Sequence, residues 1–191
     1  MVPSIKTCFR LMAEYEMLDN IREHSIVVAK IAALLARGLQ KAGESVELKK
    51  VIAAALMHDI AKTSCLKNGK DHAEEGRKIC LQNNLEEIAP IVAEHVILKT
   101  YLIDGRFSEK EIVYYADKRV NHHSVVSLEE RLRYIIERYG GKGNGRREAI
   151  ERNFALCKKI EAALFRLLPF SPEELSREVE YRLHDLLPGR Q

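Results

Sequence analysis

The chain has 191 residues, 46% of them apolar and 31% charged, a balance that suits one globular domain with a full core and excludes a disordered or low-complexity chain. Its formal charge of +3 is too small to mark a polyanion-binding protein on its own. The apolar run Val51 to Met57 is far too short to span a bilayer. Met1 to Phe9 has one lysine and no long apolar stretch behind it, so no secretory signal and no membrane attachment are expected. Cys8, Cys65, Cys80 and Cys157 form no CxxC pair, which suits reduced thiols in a cytoplasmic protein.

Nearly every segment reads as helix. Leu18, Ile21, Val28, Ile31 and Leu35 predict one helix from Leu11 to Ala36, weakening toward Gly38 and Gly43. Glu47 to His58 reads as a short, mostly buried helix. Thr63 to Asp71 is polar, and its Asn68-Gly69 pair signals a turn. Asp71, with Glu74 three residues on, predicts a capped helix from His72 to Leu81. Leu85 to Leu98 follows as a helix if Pro90 lies in its first turn. Ser108 with Glu111, and Ser127 with Glu130, are capping-box signatures before helices over Glu109 to Arg119 and Leu132 to Tyr139.

Gly140, Gly141, Gly143 and Gly145 predict a break. Beyond it a long helix runs from Arg147 to Leu168, is stopped by Pro169, and gives way at Ser171-Pro172 to a last helix ending near Leu186. No alternating run requires a sheet. The expectation is an all-α bundle: a core over residues 1–140 and a helical extension over 141–191 packed on it, because the last ~45 residues would make a poor core alone.

The residues that carry chemistry are His24, the adjacent pair His58-Asp59, His72, His95 and Asp117. Imidazoles and carboxylates in one set suit Mn, Fe, Co, Ni or Zn rather than the all-oxygen surroundings of Mg or Ca. His24 borders the apolar stripe of its helix, since Val28 and Ile31 lie four and seven residues on. Asp117 falls beside the apolar face marked by Ile112 and Val113, where a carboxylate is costly unless paired or bound to metal. Each residue also has an ordinary reading: a hydrogen-bonded core histidine at 24, a surface histidine at 72, a helix-end charge at 95, an ion pair at 117. The joint occurrence is what favours a metal site. Lys62 follows Asp59 by three residues and suits a phosphate as a point charge.

The segments EHSIVVAKIAALLA (Glu23 to Ala36), AAALMHDIAK (Ala53 to Lys62) and IVYYADK (Ile112 to Lys118) resemble the HD-domain phosphohydrolase superfamily of the HDIG type, with alanine where glycine is usual. The resemblance covers roughly residues 20–140 and implies a helical bundle whose metal ligands are His24, His58, Asp59 and Asp117. DHAEEGRKI (Asp71 to Ile79) and IVAEHV (Ile91 to Val96) resemble the extra histidine positions of binuclear members, which implies His72 and His95 as ligands of a second ion. The Gly-Tyr-Pro signature of the cyclic-di-nucleotide class is missing, and Val96 stands where the diadenosine-tetraphosphate class has threonine.

The expected activity is therefore metal-dependent hydrolysis of a small phosphate ester or anhydride, with Asp59 and Lys62 in catalytic roles, one or two divalent transition ions (Fe, Mn, Ni, Co or Zn), and a nucleotide as the implied substrate class. Arg119 and Arg131 are further candidates for the phosphate, and His122 and His123 for the cleft entrance. The competing reading is a non-catalytic ligand-binding or regulatory helical domain with a structural metal. A third is an RNA-associated factor using Lys142, Arg146 and Arg147, although no recognition helix or aromatic platform supports specific nucleic-acid binding. The apolar residues of the extension also allow a homodimer.

Overall fold

The computed structural model describes residues 1–101, 106–141 and 145–182. Its helices are α1 (Ile5–Glu14), α2 (Asp19–Lys41), α3 (Leu48–Met57), α4 (Lys62–Asn68), α5 (His72–Gln82), α6 (Ala89–Glu94), α7 (Glu109–Lys118), α8 (Leu128–Tyr139), α9 (Arg146–Phe165) and α10 (Leu175–Arg182), the last preceded by a 3-10 turn over Pro172–Glu174. Two-residue strands β1 (Val120–Asn121) and β2 (Ser124–Val125) form a small antiparallel hairpin between α7 and α8. The fold is the helical bundle with a C-terminal helical extension that the periodicity implies. Among the described residues, no helix is long and apolar enough to cross a membrane.

Helix α2 is the axis of the molecule. Val28, Ile31, Ala32, Leu35, Ala36 and Leu39 are almost completely buried, and they pack against α3 and α7. Five residues of α3, Val51, Ala54, Ala55, Leu56 and Met57, have no exposed surface, so beyond its first turn α3 is enclosed on every side rather than amphipathic. Burying this much aliphatic surface at about 25 cal/mol per Å² is what offsets the chain entropy lost on folding.

Several boundaries differ from the sequence reading. The single helix expected over Leu11 to Ala36 is broken at Tyr15–Leu18, where Glu16 takes a left-handed φ of 50°, and Thr63 Oγ1 accepts from the Leu18 N–H at 3.0 Å. That bond comes from far along the chain, so local periodicity could not report it. The polar stretch after Lys62 is helix α4, ended by Gly69 at φ 69°. Its Asn68-Gly69 turn signal marks the stop of a helix, not the absence of one. The helix expected over Leu85 to Leu98 contracts to α6. Asp71 caps α5 by accepting from Ala73 N–H at 2.9 Å, but Glu74 pairs with Arg77 at 2.7 Å and does not complete a box. The boxes at Ser108–Glu111 and Ser127–Glu130 do form. Lys142 and Gly143 of the expected break, and Leu186 at the expected end of the last helix, lie outside the described residues.

The extension packs on the core through named contacts. Tyr114 Oη donates to Asn153 at 2.8 Å and Tyr115 Oη to Glu161 at 2.6 Å. Gly38 lies against the turn after α9, where a Cβ would meet the Leu168 side chain.

Candidate metal centre

The chemistry-bearing residues all come from the ends of helices. His24 lies in the second turn of α2. His58 caps the C-terminus of α3 in helical conformation, and the chain then leaves through a tight turn in which Ile60 N–H bonds Met57 O at 3.0 Å and Lys62 N–H bonds Asp59 O at 2.9 Å. This turn aims the adjacent side chains of His58 and Asp59 at one point. His72 is the first residue of α5, His95 is the C-cap of α6, and Asp117 is in the last turn of α7. Gly76 lets α5 close on α6: a Cβ there would meet Val92 Cγ1 at 2.9 Å and Ile60 Cγ2 at 3.6 Å.

Two groups of ligand atoms result, His24-His58-Asp59 and Asp59-His72-His95, the atoms of each lying within 4.8 Å of one another. Asp59 belongs to both. Its Oδ2 is 3.4 Å from His58 Nε2 and 4.0 Å from His24 Nε2. Its Oδ1 is 3.4 Å from His72 Nε2 and 3.5 Å from His95 Nε2. Asp117 Oδ1 stands beside the first group, 3.0 Å from His24 Nε2 and 3.6 Å from His58 Nε2.

The imidazoles are oriented by the backbone. His58 Nδ1 donates to Ala55 O at 2.7 Å, His95 Nδ1 to Val92 O at 2.7 Å, and His24 Nδ1 to His122 O at 3.0 Å. With Nδ1–H committed to a carbonyl, a neutral imidazole has its Nε2 lone pair left for the centre, as metal-binding histidines do; a proton on His24 Nε2 would instead donate to Asp117 Oδ1 at 3.0 Å. At α3 and α6 the acceptor is the carbonyl three residues back, the same local device used twice. For His24 the acceptor is the hairpin turn, where His122 holds a left-handed φ of 53°. This turn, which the sequence marks only as a possible cleft entrance, positions a candidate ligand through its main chain.

His58 Nε2 and Asp59 Oδ1 are buried without any hydrogen-bond partner. Buried polar atoms without a partner are costly, and a donor set of imidazole nitrogens and carboxylate oxygens around them fits a divalent transition metal.

Cations surround the two carboxylates. Lys62 Nζ is 2.7 Å from Asp59 Oδ2. Lys118, which the sequence reading did not single out, is 5% exposed; its Nζ is 3.1 Å from Asp117 Oδ2, donates to His95 O, and sits 4.4 Å over the Tyr114 ring. Arg131 Nη2 is 3.9 Å from Asp117 Oδ1, while Nη1 donates to Asn121 Oδ1 at 2.8 Å. Arg119, the other arginine expected near a phosphate, instead bonds Tyr115 Oη, Glu161, Pro172 O and Val126 O. It ties the core to the extension.

Burial disfavours charge on Asp59, but Lys62 and His58 outweigh it and hold the carboxyl well below its usual range. Asp117 is lowered in the same way by Lys118 and His24. Burial likewise opposes a proton on His58, yet Asp59 and Asp117 raise it to about 9. Burial wins at His24 and His95, which are lowered, and at His72, lowered to about 4.

Residues 21–122 match the family described as HD domain, a span that holds all six metal-ligand candidates. The chain belongs to the HD-domain family. No curated protein and no solved structure matches the chain. HD-family membership and the buried His/Asp clusters together support a metal-dependent phosphohydrolase in general terms.

Proposed function

We propose that this HD-domain protein hydrolyses a small phosphate ester or anhydride, most plainly a nucleotide, at a binuclear centre. His24, His58, Asp59 and Asp117 would hold one divalent transition ion, and Asp59, His72 and His95 the other. Fe, Mn, Ni, Co and Zn all suit these donors. The observation that carries this reading is the shared Asp59 carboxylate, with one oxygen toward each histidine group and one of those oxygens buried without a partner.

Bound ions supply an activated water and polarise the phosphoryl group. The chain's own residues do the rest. Asp59 fixes the spacing of the two groups. The carbonyls of Ala55, Val92 and His122 hold three imidazoles in one tautomer. Lys62 is the cation at the edge of the centre, its side chain 32% exposed against 1% for Asp59, so its ammonium meets the phosphoryl oxygens of an arriving substrate and offsets their developing charge. In this reading residues 1–140 are the catalytic core and residues 141–191 its extension, whose α9 braces the core through Asn153 and Glu161.

The test is a panel of nucleoside monophosphates, cyclic and linear dinucleotides and dinucleoside polyphosphates, assayed on protein loaded with Mn. Turnover of at least one substrate should disappear on chelation and in Asp59→Ala. Full turnover in a folded Asp59→Ala protein would refute the mechanism, and a metal-loaded wild type inert on every substrate would favour the binding-domain reading.

A further inference from the structure

The two histidine groups are not equivalent in this chain. Around the first, His24 and His58 are 8% and 0% exposed, both rings are locked through Nδ1, and two carboxylates contribute charge. Around the second, among the described residues, the one carboxylate oxygen grouped with the histidines is Oδ1 of the shared Asp59. His95 is locked, but the His72 side chain is 27% exposed, and its Nδ1 makes no hydrogen bond among the described residues.

The charges point the same way. Two carboxylates, Asp59 and Asp117, are in contact with three cations, Lys62, Lys118 and Arg131, so with His58 neutral, the form that binds an ion, the cluster carries a net charge of +1 from the protein alone. One divalent ion raises this to +3. A second would raise it to +5 around carboxylates that are themselves buried, Asp59 at 1% and Asp117 at 7% exposed, where repulsion is weakly screened. Three protein donors also leave a transition ion short of its usual coordination number.

We infer that the centre fills in order, and that the Asp59-His72-His95 group takes its divalent ion only together with a phosphate-type anion. The anion offsets the excess positive charge and supplies oxygen donors, so the second ion is part of the substrate complex rather than of the resting protein. This rests on the metal-centre reading above. By linkage, the anion must then bind more tightly when the second ion is present, and by the same factor.

Equilibrium dialysis of the full chain, stripped by chelator and then given Mn²⁺, tests the order directly. Ionic strength is matched with KCl, and metal is counted with and without inorganic phosphate. One equivalent should bind without phosphate. Phosphate should bring in a second equivalent, raising its apparent affinity about 5- to 150-fold, the usual span of such couplings. His72→Ala should remove only the phosphate-dependent equivalent, whereas Asp117→Asn should weaken the first. Lys62→Met gives a signature that lost coordination alone would not: with one cation removed, the second Mn²⁺ should bind more tightly in phosphate-free buffer, while phosphate binds less tightly.

Two equivalents bound alike with and without phosphate would overturn the inference and leave the binuclear centre standing. So would a second ion indifferent to His72→Ala, or weakened in phosphate-free buffer by Lys62→Met. No Mn²⁺ bound under either condition would overturn the metal-centre reading itself.

Discussion

In the proposed centre, proton and metal would compete for His58, and the size of that competition follows from the charges around it. In the metal-free chain burial opposes a charged His58, but Asp59 and Asp117 raise its pKa from 6.5 to about 9. A metal at Nε2 must displace that proton, because Nδ1–H is committed to Ala55 O. His24 and His95 are lowered below 6.5, so above that pH they are already neutral and add no proton to displace. Apparent affinity for the first ion should therefore rise about tenfold per pH unit between 6.5 and 8.5, flattening near 9, a change of about 1.4 kcal/mol per unit. Competition with a chelator of known pH dependence measures it, using Mn²⁺ to avoid hydroxide formation. In Asp117→Asn one of the two carboxylates that raise His58 is lost, so overall affinity drops and the slope becomes shallower. An affinity flat from pH 6.5 to 8.5 in the wild type would refute the reasoning.

The same groups set a stability profile for the chelated protein. His58, raised when folded, contributes stability that is fully present below pH 6.5 and lost as pH climbs toward 9, up to about 3 kcal/mol. His72, lowered to about 4, and His24 and His95, also lowered, act oppositely and favour folding as pH rises to 6.5. Urea titrations should show a maximum near that pH, and a monotonic rise through pH 9 would contradict it. Lys62→Met should keep at least one bound metal but cut turnover by about 10²-fold, checked by metal analysis beside steady-state rates. Leu35→Ala, at a fully buried position in the middle of α2, should lower unfolding free energy by about 2–5 kcal/mol, read from the urea midpoint. His122→Val should weaken the first metal by disturbing the left-handed turn whose carbonyl orients His24, whereas His122→Gly should not; equal affinities in the two variants would refute that role.

Helical periodicity and the capping boxes are local properties, which is why α3, α7 and the helical character of the extension can be read from the sequence. The break between α1 and α2 could not, because the Thr63 hydroxyl that caps Leu18 arrives from a distant part of the chain. Helix α4 was hidden for a related reason: it is a short polar helix whose only buried residue is Cys65, so it shows little periodicity.

At the site, the order of His24, His58-Asp59, His72, His95 and Asp117, with Lys62, named the residues the fold brings together. The tertiary structure alone decided how they face one another. Asp59 offers separate oxygens to two histidine groups because α5 closes on α6 across Gly76, a contact between separate helices. Lys118 joined the site and Arg119 left it, although they are neighbours in sequence, because successive residues on a helix project about 100° apart. The sequence by itself thus determined which side chains are available, since helix propensity, capping and the burial of apolar faces act over a few residues. Which oxygen meets which nitrogen, which carbonyl fixes each tautomer, and how many cations crowd the carboxylates depend on the packing of α2, α3, α5, α6 and α7, and no local pattern encodes that.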